Sequence, residues 1–271
     1  MMDRRALLAA AAALAAGPAF AIDPGVASGR YKDDEIDIAF SHAVALELDN
    51  TEGLLDTPRE MRVLLTQEDL PPSVLYGMAL PPVWYLAKAG KAHGVLLTFD
   101  PDKRDAMVMT VLAPAEPGYS LTNVTLTSSE GLWAQLEVSP TRVAGELKPD
   151  ASEKAQLKFS AAVFTNPVEA DLKGAAAAAS EPVRAILARA EAVSKGDMAA
   201  AAALSTPQSA ARLSEMPPEF RKMAAKELPK MVAQLKATKR VVIRRETAVV
   251  ILGGGAYATA SKLDGVWKAA D

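Results

Sequence analysis

From Ile36 to Asp49 apolar and polar positions alternate. Ile36, Ile38, Phe40, His42, Val44, Leu46 and Leu48 share one parity, and Asp37, Ser41, Glu47 and Asp49 fall on the other. A period of two over that length predicts a half-buried strand, bent or interrupted midway. Further strands are predicted at 61–66, 94–99, 106–112, 120–127, 132–138, 143–147 and 155–164. Turn chemistry separates them: Asp100-Pro101-Asp102, Glu116-Pro117-Gly118, Ser129-Glu130-Gly131 and Ser139-Pro140-Thr141. Short antiparallel strands of this kind assemble as a sandwich or an open barrel. One helix interrupts them. Residues 81–90 open on two prolines and close on Gly90, a start and a stop. This helix is expected to lie across an open end of the sheet, with Trp84 as a buried plug. Residues 69–73 read as an ordered loop.

Beyond residue 170 the period changes. Residues 171–180 hold a five-alanine run and read as a linker. Ser180 is placed to cap a helix whose first turn holds Glu181 and Pro182. Val183, Ile186, Leu187, Ala190 and Val193 then form one apolar stripe. Lys195-Gly196-Asp197 closes that helix and caps a short one at 198–204. Thr206-Pro207 opens another, and Pro218 begins the longest, with Phe220, Met223, Ala224, Met231 and Leu235 turned inward. Residues 240–244, 247–252, 256–262 and 266–269 read as consecutive strands, with Gly253-Gly254-Gly255 and Asp264-Gly265 as hairpin turns.

Two resemblances follow from these residues. Gly29-Arg30-Tyr31, Phe40-Ser41-His42-Ala43-Val44-Ala45, Arg62-Val63-Leu64-Leu65-Thr66 and Leu70-Pro71 resemble a secreted bacterial β-domain to which no activity is attached. The likeness covers roughly residues 29–165 and implies a sandwich-like fold; Val44 stands where that pattern has tyrosine. Ala190, Lys195-Gly196-Asp197, Ala248-Val249-Val250 and Asp264-Gly265-Val266-Trp267-Lys268 resemble the nuclear transport factor 2-like superfamily. That resemblance implies a curved sheet folded over helices into a cone with a pocket. Its members include binding modules, docking domains and isomerases, and the isomerase residues have no counterpart here.

The first twenty-one residues change the picture again. Arg4-Arg5, an unbroken Ala/Leu run from Ala6 to Ala16, a Gly17-Pro18 break and Ala19-Phe20-Ala21 make the n-region, h-region and A-x-A site of a cleaved signal peptide. The run is shorter than the ~20 residues of a membrane span. The mature chain is expected to start near Ile22 and to work in the bacterial periplasm or outside the cell. Arg4-Arg5-Ala6-Leu7-Leu8 also resembles a twin-arginine signal, so the export route stays open. The chain has 271 residues and no cysteine, which excludes disulfides, thiolate metal sites, cysteine nucleophiles and a lipid anchor. Residues 22–172 hold 12 Lys and Arg against 23 Asp and Glu, a net −11. Residues 173–271 hold 16 against 9, a net +7. An acidic half joined to a basic half predicts contact between them.

Candidate chemistry is sparse. His42 and His93, the only histidines, would be metal ligands or a general base only with further ligands at a recognisable spacing, and none stands out. A structural role is expected for both. Met107 and Met109 share a strand face, and core filling outweighs a copper(I) reading. Gly253-Gly254-Gly255 joins two strands, whereas a phosphate loop leads from strand to helix. Lys222, Lys226 and Lys230 are spaced four apart on the long helix and form a candidate basic patch for an anion, lipid headgroups or the acidic half; a solvated helix face is the plainer reading. Tyr257 and Trp267 are the candidate pocket lining of the C-terminal domain, with packing as the alternative.

The expectation is therefore an α+β chain: signal peptide 1–21, an acidic β-sandwich-like domain 22–170, a linker 171–180, and a basic domain 181–271 of helices and antiparallel sheet. No catalytic residue, metal or cofactor is assigned. A non-catalytic binding or protein-interaction module of the periplasm is the leading reading. The alternatives are a small-molecule binder or enzyme using a C-terminal pocket, and a structural envelope protein. Another envelope protein or a small molecule is the expected partner; nucleic acid, a membrane span and a lipid anchor are not expected.

Overall fold

The computed structural model describes residues 23, 25–77, 81–113 and 122–270, with residues 218–225 and 254 described by backbone alone. The export pattern at 1–21 and the turn at Glu116-Pro117-Gly118 lie outside the described residues. Among those described, no helix is long and apolar enough to cross a membrane.

The chain is mixed α+β, and its sheets are mostly antiparallel. The first sheet has ten strands: β1 (Val26–Lys32), β2 (Asp37–Ala39), β3 (His42–Asp49), β4 (Arg59–Thr66), β5 (Gly94–Phe99), β6 (Ala106–Leu112), β7 (Thr122–Thr127), β8 (Trp133–Val138), β9 (Arg142–Leu147) and β10 (Ala155–Thr165). Their order is β7-β6-β5-β4-β3-β1-β10-β9-β8, with β2 on β1. β1 inserts between strands far from it in sequence, with Val26 opposite Ser160 and Tyr31 opposite Ala155. β3 and β10 also meet directly, in parallel, with Ala45 opposite Val163. The long alternation from Ile36 is broken at Phe40-Ser41, where β2, paired with β1, gives way to β3, which pairs with β4 along its length and with β1 only at its start.

Two stacked sheets, as in a sandwich, are not what this half of the chain builds. Hydrogen bonding runs unbroken through β3, β1, β10 and β9, and the single sheet curls into a half-barrel. Phe99 on β5 and Trp133 on β8 stand six places apart in the strand order, which a flat sheet would set roughly 29 Å apart at ~4.8 Å per strand. Their rings lie 5.5 Å apart, and Trp133 meets Phe159 at 6.0 Å. Gly145 makes room for this stack, since a Cβ there would stand 2.8 Å from the Phe159 ring. The concave face encloses Tyr31, Met61, Leu97, Met109 and Phe159, all fully buried.

The convex face is apolar as well, through Leu46, Leu48, Leu64 and Leu96. It is covered by a 3-10 turn at Pro72–Leu75, by helix α1 (Val83–Lys88), and by Val249 and Ile251 from the second sheet. α1 thus lies on the back of the half-barrel and not across its open end. Val83 and Ala87 are its buried residues, and Trp84 is only half-buried. The row of leucines needed a cover, and a short helix with one apolar edge supplies it.

The second sheet is an antiparallel meander of β11 (Val168–Lys173), β12 (Arg240–Arg244), β13 (Thr247–Ile251), β14 (Tyr257–Leu263) and β15 (Val266–Ala269). Residues 171–180, linker-like in composition, are the end of β11, the helix α2 (Gly174–Ala178) and the turn into α3 (Glu181–Ser194); Ala177 is fully buried. α4 (Met198–Ala203), α5 (Pro207–Glu215) and α6 (Pro218–Lys236) follow. The stripe of α3 packs as its spacing predicts: Val183 and Ile186, with Leu235 of α6, meet Val241, Val250, Ala258 and Ala260. Asp197 caps α4 by accepting from the Ala200 N–H at 3.0 Å, and Thr206 caps α5 from Ser209 at 3.3 Å. Ser180 sits at the N-cap of α3, but its hydroxyl makes no capping bond and is buried without a partner. At the β14–β15 hairpin Asp264 and Gly265 both take positive φ, the requirement of a type I′ turn.

Candidate functional site

Alternation along β12, β13 and β14 divides the second sheet between two jobs. Val241, Val250, Ala258 and Ala260 meet the helices. Val242, Arg244, Val249, Tyr257 and Thr259 line a cleft on the other side. The cleft has a volume of about 620 Å³ and is bounded by the 3-10 turn and α1 opposite the sheet, with α5 at its rim.

Two arginines hold its walls in place. Arg62, on the back of β4 and 5% exposed, donates to the carbonyls of Leu75 (3.1 Å) and Gly77 and to Glu60 (2.7 Å). It pins the 3-10 turn to the half-barrel. Arg244 joins the two sheets. Its Nε and Nη2 donate to the two carboxylate oxygens of Glu52 at 2.6 and 2.9 Å, Nη2 also reaches Asp49 at 2.5 Å, and Nη1 donates to the Asn166 carbonyl at 2.6 Å. The Arg244 side chain is 3% exposed and that of Glu52 fully buried. Burial would lower the guanidinium pKa, but the bonds to Glu52 and Asp49 outweigh it and hold the pKa above its ordinary value. Burial would likewise raise Asp49, yet the bonds from Arg244 and Thr51 bring it down to about 2. Arg240 reinforces the junction, donating to the Thr51 carbonyl at 2.6 Å and to Asp171 at 2.9 Å.

Inside the cleft the surface is largely apolar, with Leu48, Val74, Leu86 and Val249 facing it, and three of the chain's five tyrosines, Tyr76, Tyr85 and Tyr257, contribute to its lining. Gln208, Glu246, Thr259, Ser261 and Lys262 are also on the lining, and two side-chain hydrogen bonds join lining residues. At the exposed rim, Arg212 of α5 donates to the Tyr85 hydroxyl at 3.1 Å, spanning from one wall to the other. At the buried end, the Asn166 side chain donates through Nδ2 to the Thr247 hydroxyl at 3.1 Å. Asn166 is 3% exposed, and its Oδ1 has no hydrogen-bond partner.

The pocket candidates of the sequence reading are not brought together. Tyr257 lies on the cleft, whereas Trp267 packs beside the helix-side core and borders a separate depression with Glu181, Arg184 and Val266. The Lys262 ammonium stands 5.8 Å from the centre of its ring. Lys226 and Lys230 are exposed on α6, and the side chain of Lys222 lies outside those described. The ion pairs to the acidic Asp49–Glu52 turn come instead from Arg244. His93 is bound twice by Glu68, through its ring Nδ1 at 2.6 Å and its backbone N–H at 2.9 Å. His42 is half-buried at the start of β3, Met107 and Met109 lie in the half-barrel core, and Gly253–Gly255 form one 3-10 turn. Among the described residues, no group of three or more His, Asp and Glu could hold a metal ion.

Sequence reasoning did not single out Asn166, Arg62 or Glu52. Arg240, Val242 and Arg244 carried the available signal: cations at the i and i+4 positions of a strand share one face, and a face with an apolar residue between them is a buried one. No protein-family model, curated protein or solved structure matches the chain.

Proposed function

We propose that this is an exported, non-catalytic binding protein of the bacterial envelope that takes a small organic molecule between its two sheets. The observation that carries the reading is the cleft. Its volume of about 620 Å³ falls in the ~300–1,000 Å³ range of small-molecule sites, and it combines an apolar, tyrosine-bearing lining with a few placed polar groups, as such sites do. Export rests on the n-region, apolar run and A-x-A site of residues 1–21. The likeness to the nuclear transport factor 2-like superfamily is supported by helices preceding an antiparallel meander. It does not locate the pocket, because a cone would place its pocket between sheet and helices, and that face is packed with Val183, Ile186, Val241 and Val250. The cleft lies on the opposite face.

Native mass spectrometry of the protein purified from its own envelope tests this. One small molecule bound per chain is expected, and a Ser261→Trp variant, which places an indole in the cleft, should lose it. A chain that carries nothing, or a Ser261→Trp chain that carries the same molecule, would refute the reading.

A further inference from the structure

We infer that the molecule bound in the cleft is a neutral, mainly apolar compound, and that it is recognised through a hydroxyl or other uncharged hydrogen-bond donor given to the side-chain oxygen of Asn166. The inference rests on the cleft being the binding site and concerns what that site selects.

The buried end sets the chemistry. Asn166 Oδ1 is an acceptor in a residue 3% exposed, with no partner, on the lining of the cleft. Its amide nitrogen donates to the Thr247 hydroxyl, and the carbonyl oxygen is the atom without a partner. A buried acceptor is recovered when a bound molecule supplies the missing donor, and a molecule without one leaves it unmet. The neighbouring charge is spent. Arg244, the cation on this part of the lining, is committed to two carboxylates, Asp49 and Glu52, and a backbone carbonyl, so it is not free to pair with an anion. Leu48, Val74, Leu86 and Val249 contribute hydrocarbon to the wall, which suits a ring or chain.

The test uses three compounds of one shape: 1-naphthol, naphthalene and 1-naphthoate, titrated into the full mature chain by calorimetry or tryptophan fluorescence. Wild type should bind 1-naphthol at least tenfold more tightly than naphthalene, equivalent to about 1.4 kcal/mol, and 1-naphthoate more weakly than 1-naphthol. In Asn166→Leu the preference for naphthol over naphthalene should vanish while naphthalene binding persists. Equal binding of naphthol and naphthalene by wild type, tightest binding of naphthoate, or a preference that survives in Asn166→Leu would overturn the inference and leave the cleft as a binding site. Failure of all three compounds to bind would overturn both. The wild-type ranking needs no variant, so a poorly folding Asn166→Leu chain does not remove the test.

Discussion

Replacing Arg244 by methionine keeps an apolar stem of similar reach and removes the guanidinium that faces Glu52 and Asp49. The Glu52 carboxylate, fully buried and held by two N–H donors at 2.6 and 2.9 Å, would then be a charge in low dielectric without its main partner. Removing one member of a buried pair costs about 3–5 kcal/mol, because the survivor keeps its desolvation penalty. An exposed pair is a useful contrast: Arg59 and Asp102 are 43% and 69% exposed, and breaking such a contact costs ~0–1 kcal/mol. At ~2–4 °C per kcal/mol for a chain of this size, Arg244→Met should lower Tm by about 6–20 °C, and Asp102→Asn, which breaks only the exposed contact, should barely move it. Urea denaturation followed by tryptophan fluorescence gives the free energies. The decisive measurement is the double variant Glu52→Gln/Arg244→Met. It removes the orphaned charge and should be more stable than the sum of the single losses predicts, by at least ~1 kcal/mol of coupling. If Arg244→Met costs less than ~1 kcal/mol, or if the two substitutions add without coupling, the cluster is solvated and does not hold the sheets together.

Two serine and aspartate caps should behave in opposite ways: Asp197→Ala loses a formed cap and should cost ~1 kcal/mol, whereas Ser180→Ala removes an unpartnered buried hydroxyl and should be neutral or stabilising in the same urea assay. Gly29→Ala should prevent β1 from docking, since its Cβ would stand 2.0 Å from the Gln156 carbonyl oxygen at a φ of +110°, and the loss should appear as fast hydrogen exchange along β1. Stability should also fall at both ends of the pH range. Asp49, at about 2 when folded against an ordinary 3.8, contributes stability above pH 4 that is lost as the pH drops towards 2. Tyr31, pushed up to about 12 by burial and by its bond to Asp33, keeps its proton in the folded state above pH 10, where the unfolded chain releases it. Stability therefore declines from pH 10 to 12, and absorbance at 295 nm should show one late-titrating tyrosine.

The strands from β4 to β10 were legible because turn residues bracket each of them and their inward positions are apolar. β1 was not, since Val26-Ala27-Ser28-Gly29-Arg30 carries no apolar alternation; Gly29 is there to let β10 approach, and closeness of backbones leaves no hydrophobic trace. β11 alternates well enough, but its last residues lie in the stretch that alanines mark as linker. Helix caps and hairpins of the C-terminal half were readable from local chemistry, with Ser180 the exception because residue type does not fix a rotamer. The cleft was the least legible feature. Tyr85, Asn166, Arg212 and Tyr257 line it from four separate segments, and no spacing within any one of them announces the others. The curl of the first sheet was hidden for the same reason: Phe99 and Trp133 attract attention as core residues, but nothing in either strand says that they touch.

The insertion of β1 beside β10 sets a timetable for the chain. Strands β3 to β6 each pair with the strand that follows, so they can zip together as they appear. β1 emerges first and has only the short β2 and the start of β3 to pair with until Ala155–Ser160, its main partner, have arrived. Until then the sheet has an open seam along β3, and contacts this distant in sequence form slowly. Any fragment that stops short of Ala155 carries that seam permanently, with unpaired N–H and C=O groups ready to recruit a neighbouring chain.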